Sequence, residues 1–194
     1  MKLFECQICG QLVYFENTRC ERCSHVLGYL SDINLVVALT PRGDGRWQPV
    51  GVASGEVRFC ANAAYEACNW LVPADGPDAF CRACRLNRTI PDLGIPENIL
   101  LWQRLEAAKH RLVYGLLRFG LPVVSKFDDP ERGLAFAFLA GSWADAPVPT
   151  PHPSRSAAVA AADLRGLIVS APGEPAARRA RARPAPCPKD TGHP

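Results

Sequence analysis

No stretch of the 194 residues approaches the run of about 20 apolar residues that a membrane-spanning helix needs. The opening Met1-Lys2-Leu3-Phe4-Glu5-Cys6 also lacks the long apolar segment of a secretion signal. These absences predict a cytoplasmic protein with no membrane partner, in a compartment where thiols stay reduced. Neither sign of charge dominates. The 22 Lys and Arg against 19 Asp and Glu leave +3, which argues against a polycationic nucleic-acid binder and against an acidic disordered chain. Residues 1–150 hold 15 basic and 16 acidic side chains and residues 151–194 hold 7 and 3, so the basic excess lies wholly in the tail. There is no Gly-x-Ser-x-Gly elbow and no phosphate-cradling Gly-x-x-x-x-Gly-Lys loop. Asp128-Asp129-Pro130-Glu131 is the one dense carboxylate cluster, and adjacent acids in a Pro-containing turn read as solvated.

What the chain has in excess is cysteine, with nine residues. Under reducing conditions eight of them read as metal ligands rather than disulfide partners. The first four are Cys6-Gln7-Ile8-Cys9 and, ten residues on, Cys20-Glu21-Arg22-Cys23. Two residues between cysteines let one tight turn aim both sulfurs at a single ion. Two such turns joined by a hairpin complete a tetrahedron with Zn–S bonds of about 2.3 Å. Gly10 follows the first pair, where a positive φ points amides at sulfur, and Ser24 holds the equivalent place after the second. Gln11–Phe15 supplies a strand and Glu16-Asn17-Thr18 its turn, which makes a zinc-ribbon pattern. The second set is Cys60, Cys68, Cys81 and Cys84, separated by seven, twelve and two residues. Only Cys81-Arg82-Ala83-Cys84 is a two-residue turn, so the spacing leaves two readings, a second tetrathiolate site and a set of buried structural thiols. Asn69–Pro73 would supply apolar cover. Cys187, between Pro186 and Pro188, reads as incidental.

Around these sites, Leu35–Leu39 and Glu56–Phe59 read as short strands, and Pro41-Arg42-Gly43-Asp44-Gly45 as a loop. Past Pro96, the residues Ile99, Trp102, Leu105, Leu112, Val113, Leu116 and Leu117 recur at helical spacing, interrupted by Lys109. This predicts an amphipathic helix over 97–119, opened by Pro96 and stopped by Gly120 and Pro122. Glu106 and His110, four apart, and Arg104, Lys109 and Arg111 are assigned to its polar side. The stripe is expected to pack internally; its alternative is a protein-partner surface on Trp102, Leu105 and Leu112. From Ala144 onward there is no aromatic residue, and Ala, Pro and Gly make up half of residues 151–194. Such a segment cannot bury enough apolar area to offset chain entropy. Disorder is expected over 141–194, with at most a short helix near Ala157–Leu167. The arginine run Arg178–Arg183 reads as solvated, the alternative being a nucleic-acid or membrane-surface contact.

Each cysteine cluster has too few large apolar side chains to fold alone. A structural Zn²⁺ contributes about 10–16 kcal/mol of apparent binding energy at neutral pH, which becomes folding energy. Two structural zinc ions are therefore expected, with iron as the alternative occupant because geometry does not separate the two. Each ion with four thiolates carries −2, so two sites bring the formal +3 to −1. Neither cysteine module then offers the positive field that phosphate binding needs, and nucleic acid is not an expected partner.

Specific runs resemble a known family. Met1-Lys2-Leu3-Phe4-Glu5-Cys6-Gln7-Ile8-Cys9-Gly10-Gln11, with Tyr14-Phe15-Glu16-Asn17-Thr18-Arg19-Cys20-Glu21-Arg22-Cys23, resembles the bacterial zinc-binding metallopeptidases that begin with a zinc-ribbon domain. So do Arg58–Ala63, Cys68–Pro73, Phe80–Leu93, Pro96–Asn98 and Trp102–Lys109, and the resemblance continues to about Phe136. It implies that both cysteine sets are zinc ligands. Family members continue into a peptidase-like domain with a His-Glu-x-x-His helix, in which two imidazoles hold zinc and the Glu serves as general base. Here the histidines are His25, His110, His152 and His193, and none is followed by Glu. The resemblance therefore carries over the ribbons and no catalytic residue, and the four histidines are expected on the surface.

The prediction is a small α+β chain with short antiparallel strands. It comprises a zinc ribbon over 1–35, linking strands and a second Cys₄ module over 36–95, a helix and peptidase-like remnant over 96–140, and a low-complexity tail over 141–194. The expected function is structural zinc binding in a truncated, non-catalytic relative of the peptidases. The alternatives are a ribbon that binds protein or nucleic acid, an enzyme with an unrecognised site, and an iron electron carrier. The change of composition after about 140–151 further predicts that the sequence leaves the family there, as a frameshift would produce.

Overall fold

The computed structural model describes residues 2–139 and the backbone of 159–163. Strands β1 (Phe4–Glu5) and β2 (Leu12–Val13) pair antiparallel around the first cysteine turn. Five strands then form one antiparallel sheet in chain order: β3 (Val26–Leu30), β4 (Leu35–Gly43), β5 (Arg46–Pro49), β6 (Val57–Phe59) and β7 (Leu71–Pro73). Leu27, Tyr29, Val36 and Ala38 face one core, while Leu30, Val37, Leu39, Val57 and Leu71 face another. That two-sided burial explains why β3 and the first half of β4 are apolar throughout rather than alternating. The outer strands meet again where Tyr29 N–H donates to the Asn69 carbonyl at 2.9 Å, so the sheet curls back on itself.

The loop expected over Pro41–Gly45 shrinks to two residues. Pro41–Gly43 extend β4, and only Asp44 and Gly45 turn, with φ of 50° and 72°. Positive φ at both central residues is the hairpin turn that matches strand twist and favours Asp-Gly. Gly28 has a different reason to be glycine. A Cβ there would lie 2.7 Å from the Leu71 side chain, across the seam between β3 and β7. Gly28→Ala is expected to cost about 1–3 kcal/mol by overpacking, read as a lower urea midpoint at unchanged slope in zinc-loaded protein.

Helix α1 spans Pro96–Arg118, with Pro at its start. It ends where Gly120 takes φ 67°, Gly120 N–H donates to Leu117 O at 3.1 Å and Leu121 N–H donates to Leu116 O at 2.9 Å. These two bonds satisfy the carbonyls that a helix end leaves open. The buried face differs from the expected stripe. Trp102 and Val113 are buried, and Trp102 packs with Ala67 and Phe138, whereas Leu112 is exposed. A partner surface shared by Trp102, Leu105 and Leu112 is therefore not available, because Trp102 is inside. Glu106, Lys109 and His110, assigned to the polar side, are also buried.

The helix crosses between two parallel strands, β8 (Asn87–Thr89) and β9 (Ala135–Leu139), making a β-α-β unit. This second sheet is parallel, beside the antiparallel strands expected of the cysteine modules. A further strand, β10 (Val159–Asp163), pairs parallel with the other edge of β9. It falls within the 141–194 span for which composition predicts disorder, with at most a short helix near Ala157–Leu167. An unpaired strand edge offers a row of main-chain donors and acceptors that recruits extended chain with little regard to side chain. The rest of 141–194, with His152, His193, Cys187 and Arg178–Arg183, lies outside the described residues. Among the described residues no helix is long and apolar enough to cross a membrane.

Neither cysteine group stands alone. Phe4, Phe15, Tyr29, Trp70 and Tyr114 form an aromatic core that also contains Cys6, Cys20, Cys60, Cys68, Cys81 and Cys84. The Phe15 ring centroid lies 4.9 Å from those of both Tyr29 and Tyr114, and Trp70 lies 4.6 Å from Tyr29. Each cluster is poor in large apolar side chains by itself, as expected, but the sheet and α1 bring them onto one shared core.

Candidate metal centres

In the first centre Cys6, Cys9, Cys20 and Cys23 each offer a sulfur within 4.8 Å of the others. The Cys6–Cys23 and Cys9–Cys20 Sγ separations are both 3.6 Å. Zn–S bonds of about 2.3 Å in a tetrahedron imply edges of about 3.8 Å. The two turns are copies of each other. Gly10 N–H donates to Cys6 O at 2.9 Å and Ser24 N–H donates to Cys20 O at 2.8 Å, with φ of 70° and 60°. Ser24 therefore adopts the left-handed conformation that Gly10 takes without steric cost. The Cys23 backbone N–H, joined by that of Arg22, holds the Cys20 thiol down at about 7 against the opposing effect of burial. Gln7, between the first two sulfurs, accepts the Ala38 N–H at 2.6 Å and donates to Val36 O at 3.1 Å, which fixes the turn on β4.

In the second centre the sulfurs of Cys60, Cys68, Cys81 and Cys84 also lie within 4.8 Å of one another, and Cys68–Cys81 is 3.7 Å. Trp70, just before β7, and the turn at 81–84 deliver backbone donors to them. The N–H groups of Trp70, Cys81 and Cys84 each sit 3.4 Å from the sulfurs of Cys68, Cys60 and Cys81 respectively. In the metal-free chain Cys60 and its neighbours Cys68 and Cys84 oppose one another's ionisation. Bonds from Cys68, Cys81 and Cys84 push the Cys60 thiol far below its ordinary range, whereas burial, then Cys60, pushes Cys68 up and Cys60 pushes Cys84 up. A divalent cation removes that conflict, because it lets all four sulfurs ionise in a buried site. Four convergent sulfurs with backbone N–H support fit a tetrathiolate metal ion better than a packed set of neutral thiols. Asn69 joins the centres by donating to Phe15 O at 2.7 Å.

Beside the second centre lies a polar group that sequence reasoning missed. His110 was expected on the surface, but it is only 4% exposed. Its Nδ1–H donates to the Glu106 carbonyl at 2.7 Å, and its Nε2 lies 3.4 Å from the Cys68 sulfur and 3.6 Å from that of Cys84. In the metal-free chain burial, with the Lys109 charge second, draws the His110 pKa down to about 3. Glu106 is fully buried, and its carboxylate takes an ion pair from Lys109 at 2.7 Å and a hydrogen bond from Asn87 Nδ2 at 2.6 Å. Lys109 Nζ also donates to the Asn87 side-chain oxygen and stands 5.6 Å from the Phe138 ring centroid. Cys84, Glu106 and His110 together offer three ligand atoms within 4.8 Å. That trio is not a separate cation site, since Lys109 already occupies the carboxylate and Cys84 belongs to the tetrathiolate. The signal in the sequence was position: 106, 109 and 110 fall one turn from Trp102 and Val113, on the side that is buried.

Residues 3–95 match the zinc-ribbon domain family, and residues 98–163 match the family described as "Putative zinc-binding metallo-peptidase". The two matches together are consistent with a zinc ribbon followed by a metallo-peptidase-like segment. Similar curated proteins are uncharacterized proteins of Mycobacterium bovis and of two strains of Mycobacterium tuberculosis, each 32% identical over 142 residues. The match takes in 73% of this chain and 38% of each relative, so the chain spans well under half the length of the curated relatives it matches. No solved structure matches. The ribbon match contains both cysteine groups, which fit two structural zinc ions. The peptidase-family match begins inside α1 and continues to residue 163, past the 140–151 region where the sequence was expected to leave the family.

Proposed function

We propose that this chain is a structural zinc-binding protein, with Cys6, Cys9, Cys20 and Cys23 holding one ion and Cys60, Cys68, Cys81 and Cys84 the other. The observation that carries this reading is closure. Each centre already has four sulfurs, so zinc bound there has no open position for a water or a substrate carbonyl. Such an ion supplies folding energy and neutralises thiolates; it does not activate a nucleophile.

The chain's own residues support that role. Gln7 fixes the first turn on β4, Asn69 ties the second segment to the first, and the backbone donors orient the sulfurs. No histidine of the 194 residues is followed by Glu, so the paired imidazoles and general base of zinc peptidases are not among them. On this reading the span is non-catalytic, and the ribbon serves as a rigid platform for the peptidase-family segment that starts at α1.

Two measurements test it. Metal analysis of protein purified without added zinc is expected to return two equivalents of zinc per chain. Peptidase assays with and without added Zn²⁺ are expected to show no turnover, with a longer family member run alongside. Zinc-dependent turnover by this chain, or fewer than two tightly held ions, overturns the proposal.

A further inference from the structure

We propose that the cavity beside β8 is a binding site for an extended peptide segment of a partner protein. The peptide main chain pairs with the outer edge of β8, and one of its apolar side chains sits among Phe80, Ile90 and Phe127. Cys84 forms part of the cavity wall, but binding here uses neither metal ion and is independent of whether the chain is catalytic.

The cavity has a volume of about 430 Å³, inside the range of about 300–1,000 Å³ typical of ligand sites. Its walls are tied to one another. Ala61 N–H donates to Ala79 O at 2.9 Å, and the Arg58 guanidinium donates to Gly76 O and Asp78 O at 3.1 and 3.0 Å. Arg85 spans the cavity's two sides, pairing with Asp78 at 3.0 Å and with Asp128 at 2.8 Å. The turn that carries Phe127 is pinned as well. Ser125 Oγ donates to Arg85 O and accepts the Phe127 N–H, and a Cβ at Gly133 would lie 2.4 Å from Ser125 O. A site built this way is formed before its ligand arrives, which lowers the ordering cost of binding.

Four features of the lining say what it takes. Asn62 is only 6% exposed and borders the cavity, and among the described residues its carboxamide has no hydrogen-bond partner. A buried amide in that state calls for a ligand that supplies both a donor and an acceptor, as a peptide group does. Strand β8 ends its sheet: β9 covers one side, and among the described residues no strand covers the other. Asn87, Arg88 and Thr89 all border the cavity, so it runs along that strand. Open strand edges bind extended chain through main-chain hydrogen bonds, with pockets for alternate side chains giving selectivity. The apolar wall is left open to solvent, with Phe80 and Ile90 each 43% exposed and Phe127 88% exposed. Aromatic groups held rigidly at the surface are the usual anchors of an interface. Charge separates a peptide from a phosphorylated ligand. Arg85 with Asp78 and Asp128 carries −1, and Arg88, which has no ion pair among the described residues, restores neutrality. A neutral wall gives no field to hold a phosphate.

The test titrates the full, isotopically labelled, zinc-loaded chain with acetylated and amidated pentapeptides, Thr-Val-Leu-Val-Thr and Thr-Val-Phe-Val-Thr, and follows amide chemical shifts. At least one peptide is expected to give saturable shifts at the Asn62 side-chain amide and at the backbone amides of residues 87–90. The expected Kd is about 0.1–1 mM, the range of a short flexible ligand. Methylating the peptide nitrogens is expected to weaken binding at least about tenfold, because the pairing to β8 is lost. Phe127→Ser changes an exposed side chain and is expected to keep the fold and weaken binding at least about fivefold. Asn62→Ala is expected to do the same; if it does not fold, Phe127→Ser and the methylated peptides still decide. No saturable shift with either peptide at about 5 mM, well above the expected range, overturns the site. Undiminished binding of the methylated peptides overturns strand pairing and with it the peptide class. Shifts centred away from residues 62 and 87–90 overturn the location. Inorganic phosphate that binds these residues when neither peptide does overturns the neutral character of the ligand. Metal analysis of every sample reports the two-zinc reading separately.

Discussion

Removing both zinc ions from the full chain is expected to unfold the described domain in a cooperative step. Each structural ion contributes about 10–16 kcal/mol of apparent binding energy at neutral pH. A domain of ordinary size has a net stability of about 5–15 kcal/mol, so loss of the ions removes more than the fold has to spare. The geometry says where the collapse begins. Six of the eight sulfurs lie inside the core that holds Phe15, Tyr29, Trp70 and Tyr114. Emptying the sites puts unpaired thiols in that core and leaves the Gly10 and Ser24 turns with nothing to converge on. The measurement is near-ultraviolet circular dichroism during titration with a strong chelator, paired with a thiol count. The aromatic signal should vanish and the eight site thiols should become reactive together. An intact aromatic signal, with all eight thiols reacting freely, would show that the apolar core suffices without metal.

Lys109→Met is expected to be the most damaging single substitution outside the cysteines. Its ammonium and the Glu106 carboxylate are 1% and 0% exposed, and the two are 2.7 Å apart. Removing one partner of a buried pair leaves the other charge without compensation, at a cost of about 3–5 kcal/mol. The double variant Glu106→Gln with Lys109→Met should recover much of that loss, because it removes the stranded charge as well. Urea unfolding at fixed free zinc separates the two, since bound metal would otherwise shift the apparent stability. A loss below about 1 kcal/mol in Lys109→Met, typical of an exposed pair, would mean that water reaches Glu106.

The contrast between the two cysteine sets shows what spacing can carry. In the first set the signal is local. Two residues separate each pair, and the next residue takes positive φ in both turns. A reader of the sequence therefore recovers all four ligands and the turn geometry. In the second set only Cys81 and Cys84 form such a turn. Cys60 and Cys68 reach them because β6 pairs with β7 and folds the intervening chain back. That pairing depends on contacts that no local pattern announces, and the resemblance to the family had to supply the ligand set.

The helix makes the same point from the other side. Its ends were legible, since Pro opens it and Gly120 closes it. Its buried face was not, because a glutamate and a lysine at 106 and 109 look like solvent-facing residues until Asn87 and the Phe136–Phe138 strand are brought against them. His110 falls in the same class: its neighbours Cys68 and Cys84 are 42 and 26 residues away. Composition likewise pointed to disorder over 141–194, within which Val159–Asp163 pair parallel with β9, a long-range contact that composition does not register.

The sequence by itself determined the metal chemistry, the first site's ligands, the α+β class and the extent of α1, because each rests on spacings of two to four residues that fix backbone geometry locally. Only the tertiary structure decided which polar residues would be buried, how the two cysteine groups share one aromatic core, and that His110 meets the second set of sulfurs. Those outcomes depend on which distant segments displace water from one another, and that is a property of the assembled fold rather than of any short stretch of chain.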